Sequence, residues 1–271
     1  MRIFYVFWSA PAAGFRWGIP GQLRKSYIFY AYSLLLAKKN YPDAEIVIHT
    51  DSRSADFFRQ LPYDEVITDL DELNDANPFF FAQGKIKAFE SEPEGSLYID
   101  GDVFLKSDFL NEVTAEEYDL LSQSLDEFNR AMYADELRKF IDDENNECFG
   151  DKMLSCGLLQ FKNDELKQAW IDSYKRNTAT LSQAPELVGV ALGSDLNFEL
   201  STEQVALRNL SQEHNVRTLY PDGYTPTWDD PNYCHLYAKA KYHNYYISRM
   251  LDDIRVMDEA IWQMLTELPE E

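Results

Sequence analysis

Two aspartates one residue apart, Asp100 and Asp102, close an apolar run in "SLYIDGDVFL" (residues 96–105). The run reads as a buried strand, so both carboxylates stand where strand gives way to loop. Gly101 between them lets the backbone bend and turn both toward one point. Adjacent carboxylates repel, and a hard cation removes that repulsion by taking their oxygens as ligands. The same spacing occurs at Asp69-Leu70-Asp71, within "YDEVITDLDELND". No apolar run resumes after that pair as "VFL" does after Asp102; "TDLDELND" reads as a polar loop or helix start, and the longer stretch as a solvated acidic loop.

The rest of the composition narrows what such a cation could serve. The chain has 271 residues, 45% hydrophobic, enough for one substantial core, and a formal charge of -22. That charge argues against nucleic acid and against an anionic membrane surface, because a phosphate backbone needs a basic face to release its counterions. A metal, or a substrate delivered with one, stays compatible. Cys148, Cys156 and Cys234 are odd in number and lack a C-x-x-C spacing, so they read as inert, reduced thiols of a cytoplasmic protein. The apolar run at the N-terminus, Ile3 to Trp8, is shorter than a signal segment and suits a first strand. No run approaches the length of a membrane span.

Elements able to position the two aspartates follow from periodicity. Strands are expected at 2–8, 44–51, 63–68 and "SLYID", with helices between them at 21–42, in "SRSADFFRQL" with Ser52 as N-cap, and at 79–91. This alternation predicts an α/β, Rossmann-like, mostly parallel sheet covered by helices, in which ligands gather at the carboxyl ends of strands. Further along, 153–163 is expected to hold a strand, 164–178 a helix capped by Asn163 or Asp164, 201–214 a helix opened by a Ser/Thr cap and Glu203, and "HNVRTLYP" a strand. The tail carries Met250, Ile254, Met257, Ile261 and Leu265 on one amphipathic stripe, expected to pack on its own domain. Without a linker or repeat, residues 1–271 are expected to form one domain with a helical extension over 244–271.

In "CHLYAKAKYH" (234–243), His235, Ala238 and Lys241 keep the spacing of a late H-x-x-G-x-x-K-P-W motif. With the D-x-D upstream, the chain resembles the GT-A nucleotide-sugar glycosyltransferases, most closely those of families 8 and 32. "QGKIKAFES" is similar to the helix whose basic residue approaches the donor, "SCGLLQF" to an N-x-G segment, and "TEQVAL" to a D-Q-x-x-L segment. Ser155 or Cys156 stands where Asn is usual, Ala238 replaces Gly, and Tyr242-His243 stand for Pro-Trp.

The resemblance implies a hexose transferred from a UDP-sugar to a glycan or other hydroxyl acceptor, with retention of configuration. Asp100, Asp102 and His235 would hold the metal, a mixed oxygen and nitrogen set that suits Mn²⁺ better than Mg²⁺. Lys241 and Lys85 would meet the diphosphate, and Gln204 and Glu203 the donor sugar. Asp51 would contact the ribose or cap the helix after it, and Lys87 is a solvated helix residue. The loop at 129–152 would be a lid or acceptor platform, and the chain is compatible with a homo-oligomer. Two rivals remain: a degenerate relative that binds nucleotide or glycan without turnover, and a haloacid-dehalogenase-type phosphatase in which Asp100 attacks phosphate and Asp102 acts as acid.

Overall fold

The computed structural model describes residues 1–14, 22–77, 80–127, 150–182, 200–225, 227–236 and 243–269. In chain order the elements begin β1 (Arg2–Phe7), α1 (Ser9–Gly14), α2 (Gln22–Asn40), β2 (Glu45–Thr50), α3 (Ser52–Phe58) and β3 (Glu65–Ile67). They continue with α4 (Gln83–Ser91), β4 (Leu97–Ile99), β5 (Val103–Leu105), α5 (Leu110–Thr114) and β6 (Leu120–Glu127). After these come β7 (Lys152–Leu154), β8 (Leu158–Phe161), α6 (Asp164–Ser182), a π-helical turn (Leu200–Val205), α7 (Ala206–Leu210), β9 (Val216–Tyr220) and β10 (Tyr233–His235). Two helices close the chain, α8 (Asn244–Met257) and α9 (Glu259–Glu267). Among the described residues no helix is long and apolar enough to cross a membrane.

The chain divides into two compact units, one of Met1–Asp75, Leu97–Glu117 and Thr225–Glu271, the other of Ala76–Ser96 and Tyr118–Tyr224. The first is a parallel sheet in the order β3-β2-β1-β4, with β1 aligned Ile3 to Ile46 on β2 and Ile3 to Leu97 on β4. Strands β1, β2 and β4 are buried along nearly their whole length, which is why they read as continuous apolar runs. Tyr5, Phe7, Tyr27, Tyr30, Phe58 and Tyr63 pack edge-to-face or tilted beneath it. A separate two-stranded ribbon pairs β5 antiparallel with β10, Val103 opposite His235. The second unit is built on β6, which pairs antiparallel with β7 and β8 and parallel with β9. Because β8 and β9 meet the same residues of β6, they occupy its two opposite edges. Phe89 of α4, Phe161 of β8 and Trp170 of α6 form its aromatic centre, each 5.4 Å from the next ring.

The expected α/β class holds, with strand pairs mostly parallel and helices alternating with strands. Local readings shift or narrow in five places. Asp51, not Ser52, caps α3, accepting from Arg53 N and Ser54 N. Of the two readings for the Asp69–Asp71 segment the helical one holds: residues 69–73 form a 3₁₀ turn, with Leu70 fully buried rather than solvated. The strand expected at 153–163 is two strands interrupted at Ser155-Cys156-Gly157, and Asn163 caps the following helix through Leu166 N at 2.9 Å. The helix expected at 201–214 opens as a π-helical turn, in which Glu203 takes an ion pair rather than a capping place. The C-terminal stripe keeps Met250, Ile254, Ile261 and Leu265 buried, but on two helices: Asp258 leaves helical geometry (φ −155, ψ 102) and caps α9 through Ile261 N. Cys156 and Cys234 are buried, and burial pushes the Cys234 thiol up to about 12, so it stays protonated.

Candidate metal centre

The strand β4 ends at Ile99, and the chain turns at once. Val103 N returns to Asp100 O at 3.0 Å, closing a tight loop that carries both aspartates. Gly101 is required at its apex by space: a Cβ there would lie 2.2 Å from the Tyr30 ring. That ring is itself held, since Tyr30 donates its hydroxyl to Val6 O and packs edge-on against Phe7 and Phe58. Burial, then the charges of Asp100 and Asp102, hold the Tyr30 phenol well above its usual range, so it stays neutral beside them. Tyr98, in β4 two residues before Asp100, donates its hydroxyl to Asp100 Oδ1.

The ribbon supplies the third group. With Cys234 opposite Phe104 and Leu236 N bonded to Asp102 O at 3.0 Å, His235 sits beside Asp102, its Nε2 3.4 Å from Asp102 Oδ1. The ribbon is fastened from both sides. Ser33 and Asn40 of α2 donate to the carbonyls of Val103 and Leu105, and Lys106 bonds Asn232 O through its backbone and Asp230 O through its ammonium. The Lys106 ammonium also lies 5.0 Å above the Trp228 ring, and Tyr32 stacks on the same ring at 5.8 Å.

Asp100, Asp102 and His235 each offer one ligand atom, all within 4.8 Å of one another. Asp102 is 9% and His235 7% exposed, so the imidazole and carboxylate are largely removed from water. Atoms sharing one ion at about 2.1 Å can stand at most about twice that apart. The trio therefore fits a divalent cation after a tightening of a few tenths of an ångström, within reach of a side-chain adjustment. Two carboxylate oxygens and an imidazole nitrogen also form a chemically sensible set for such an ion.

The other residues singled out in the sequence are distributed as follows. Asp51 is 1% exposed, and its oxygens accept from Arg53 N, Ser54 N and, at 2.7 Å, Ser9 N. In the second unit, Lys85 Nζ meets Glu203 Oε1 at 2.6 Å and Cys156 O at 3.1 Å, and Trp170 Nε1 donates to Glu203 O at 2.9 Å. Gln204 is half-buried next to Glu203 in the π-helical turn, and Lys87 pairs with Glu90 at 3.8 Å. Lys241, Ala238, Tyr242, Cys148 and nearly all of 129–152 lie outside the described residues. Sequence reasoning passed over Tyr98 and Tyr30. Tyr98 carries a usable signal, since i and i+2 on a strand share a face; nothing in the sequence marks Tyr30.

A family model described as a family of unknown function (DUF6734) matches residues 1–150, more than half of the chain and both aspartates of the centre. The chain belongs to that family. A comparison with curated proteins returned no match. Among solved structures the chain is similar to the galactosyltransferase LgtC in complex with donor and acceptor sugar analogues, at 12% identity and a TM-score of 0.49, over 100% of this chain and 98% of that one. It is similar to the glycosyltransferase GlyE of Streptococcus pneumoniae TIGR4 at 11% identity and a TM-score of 0.49, over 100% of this chain and 65% of that one. Mouse xyloside xylosyltransferase 1 matches at 10% identity and a TM-score of 0.40, over 80% of this chain and 84% of that one.

Proposed function

We propose that this protein is a divalent-metal-dependent, retaining GT-A glycosyltransferase of the cytosol, taking a hexose from a UDP-sugar to a glycan or other hydroxyl acceptor. The observation that carries the reading is the convergence of Asp100, Asp102 and His235, two parts of the chain far apart in sequence, on one point. Asp100 and Asp102 would each give an oxygen and His235 Nε2 a nitrogen to Mn²⁺ or, second, Mg²⁺. A cation held there supplies positive charge beside a nucleoside diphosphate as its bond to the sugar breaks.

The protein's own contribution is preorganisation. The loop between β4 and β5 presents the carboxylates from a rigid base, the ribbon delivers the imidazole in fixed register, and neutral Tyr30 adds no competing charge. In the same reading Asp51, Lys85 and Lys241 serve the nucleotide and Glu203 and Gln204 the sugar; those roles rest on the sequence resemblance rather than on a distance.

Calorimetric titration of UDP, with and without Mn²⁺, tests the proposal. Mn²⁺-dependent binding that vanishes in Asp100→Ala is expected, followed by release of UDP from a UDP-hexose. Absence of UDP binding under both conditions overturns the reading, and binding without any release reduces it to nucleotide recognition.

A further inference from the structure

We infer that Tyr98 is the positioning residue of this centre: its hydroxyl fixes the Asp100 carboxylate in the orientation that accepts a cation. The inference rests on the metal reading above and assigns a role to a residue outside the ligand set. Tyr98 lies in the middle of β4, 2% exposed, with its ring 5.3 Å from Phe4. A buried phenol needs a partner for its hydroxyl. The residue two positions on, just past the end of β4, is Asp100, whose Oδ1 takes the bond.

The chemistry of the bond matters more than its presence. Asp100 leads a loop and is less enclosed than Asp102 or His235. A carboxylate in that position would sample several rotamers, and a cation would have to select one of them. An O–H donated to one oxygen of an ionised carboxylate is among the stronger protein hydrogen bonds, and it fixes both the side-chain torsion and the plane of the group. Outer-shell partners of this kind orient ligands to metals, and removing one costs metal affinity without removing a ligand. Asp102 is oriented differently, by the backbone bond at its carbonyl and by His235 beside it. Tyr98 thus does for the half-buried aspartate what the ribbon does for the buried one.

The test is Mn²⁺ titration of the full-length protein by calorimetry, in wild type, Tyr98→Phe, Asp100→Asn and the double variant. Thermal melting of each sample shows that the fold is retained. Tyr98→Phe keeps the ring packing and should weaken Mn²⁺ about tenfold or more, with no further loss when added to Asp100→Asn. Asp100→Glu probes the same bond without touching the core: it keeps the charge, displaces the oxygen from the Tyr98 hydroxyl, and should weaken Mn²⁺ similarly. Tyr118→Phe, which removes a buried phenol bonded to Gln160 in the other unit, should leave affinity unchanged.

Wild-type affinity in Tyr98→Phe or in Asp100→Glu overturns the inference, as does a Tyr98→Phe effect that persists undiminished beside Asp100→Asn. Should wild type take up no Mn²⁺, or Asp102→Asn bind it as wild type does, the metal reading itself falls and the inference with it. Mn²⁺ uptake that depends on Asp102, with Tyr98→Phe unaffected, leaves the metal reading standing and removes Tyr98 alone.

Discussion

Asp69-Leu70-Asp71 and Asp100-Gly101-Asp102 follow two strands of the same parallel sheet, β3 and β4, with identical aspartate spacing. In the first, the middle residue is a fully buried leucine that pulls the turn down onto the sheet. The flanking carboxylates then face separate partners. Asp69 pairs with His49 of β2 at 2.9 Å, and Asp71 accepts from Ser52 N at 2.8 Å and from the Ser52 hydroxyl. In the second, the middle residue is a glycine lying against Tyr30. The flanking carboxylates face the same region, where His235 joins them. The residue between two aspartates, and what neighbouring elements bring to them, decides whether the two carboxylates are drawn to separate partners or toward one region.

The comparison breaks most visibly at Asp102. Asp102→Ala should abolish Mn²⁺-dependent UDP binding, a loss beyond the roughly 10- to 100-fold that outer-shell changes cost. Asp71→Ala should leave that binding intact, and calorimetry on both variants decides. Next in size is the contrast between the two middle residues. Leu70→Ala should destabilise the protein by about 2–5 kcal/mol, since a buried leucine leaves both lost transfer energy and a cavity. Chemical denaturation should show this with metal affinity unchanged.

Gly101→Ala overpacks rather than empties its site, because the Tyr30 ring is held by Phe7, Phe58 and Val6 O and cannot give way. About 1–3 kcal/mol of destabilisation is expected, here accompanied by weakened Mn²⁺. Equal metal affinity in Gly101→Ala and wild type would show that the loop tolerates a shift.

The smallest effect is on pH dependence. The Ser52 hydroxyl and N–H hold the Asp71 carboxyl below its ordinary range. A depressed folded-state value means that this bond contributes fully above the unfolded value of about 3.9 and is lost as pH falls through the folded one. The melting-temperature gap between wild type and Asp71→Asn should therefore be small but present at pH 6 and should close as pH falls through the depressed folded-state value. A gap that widened in acid would contradict the assignment.

Regular periodicity is what made the first half of the fold legible. Strands β1 to β4 and helices α2 and α3 follow apolar runs and spacing that burial by the sheet then rewards. The second unit is harder to read because its central strand is not apolar: β6 buries Ser122, Gln123 and Ser124, whose polarity is met inside the fold by bonds such as Ser122 Oγ to Ser155 O. The three-residue β10 is too short for any pattern. The break in the C-terminal stripe was visible in principle, since Asp258 before Glu259 is a capping signal, but the hydrophobic period runs through it and masks it. At the centre, strand-exit logic marked the two aspartates and a family spacing marked His235. The packing that makes Gly101 necessary depends on a residue of α2 about seventy positions earlier, and no local window contains both.

The ribbon of β5 and β10 also sets a timetable. Its register joins residues 103–105 to 233–235, among the long-range pairings that a chain makes slowly, because the intervening segment must be closed before the contact forms. During synthesis at about 5–20 residues per second, β4 and the loop with Asp100 and Asp102 emerge well before His235 leaves the ribosome. The nascent protein thus carries Asp100 and Asp102 without His235 through much of its own translation. His235 reaches Asp102 only when β10 pairs back onto β5, so the three side chains meet late in folding rather than with the part that emerges first.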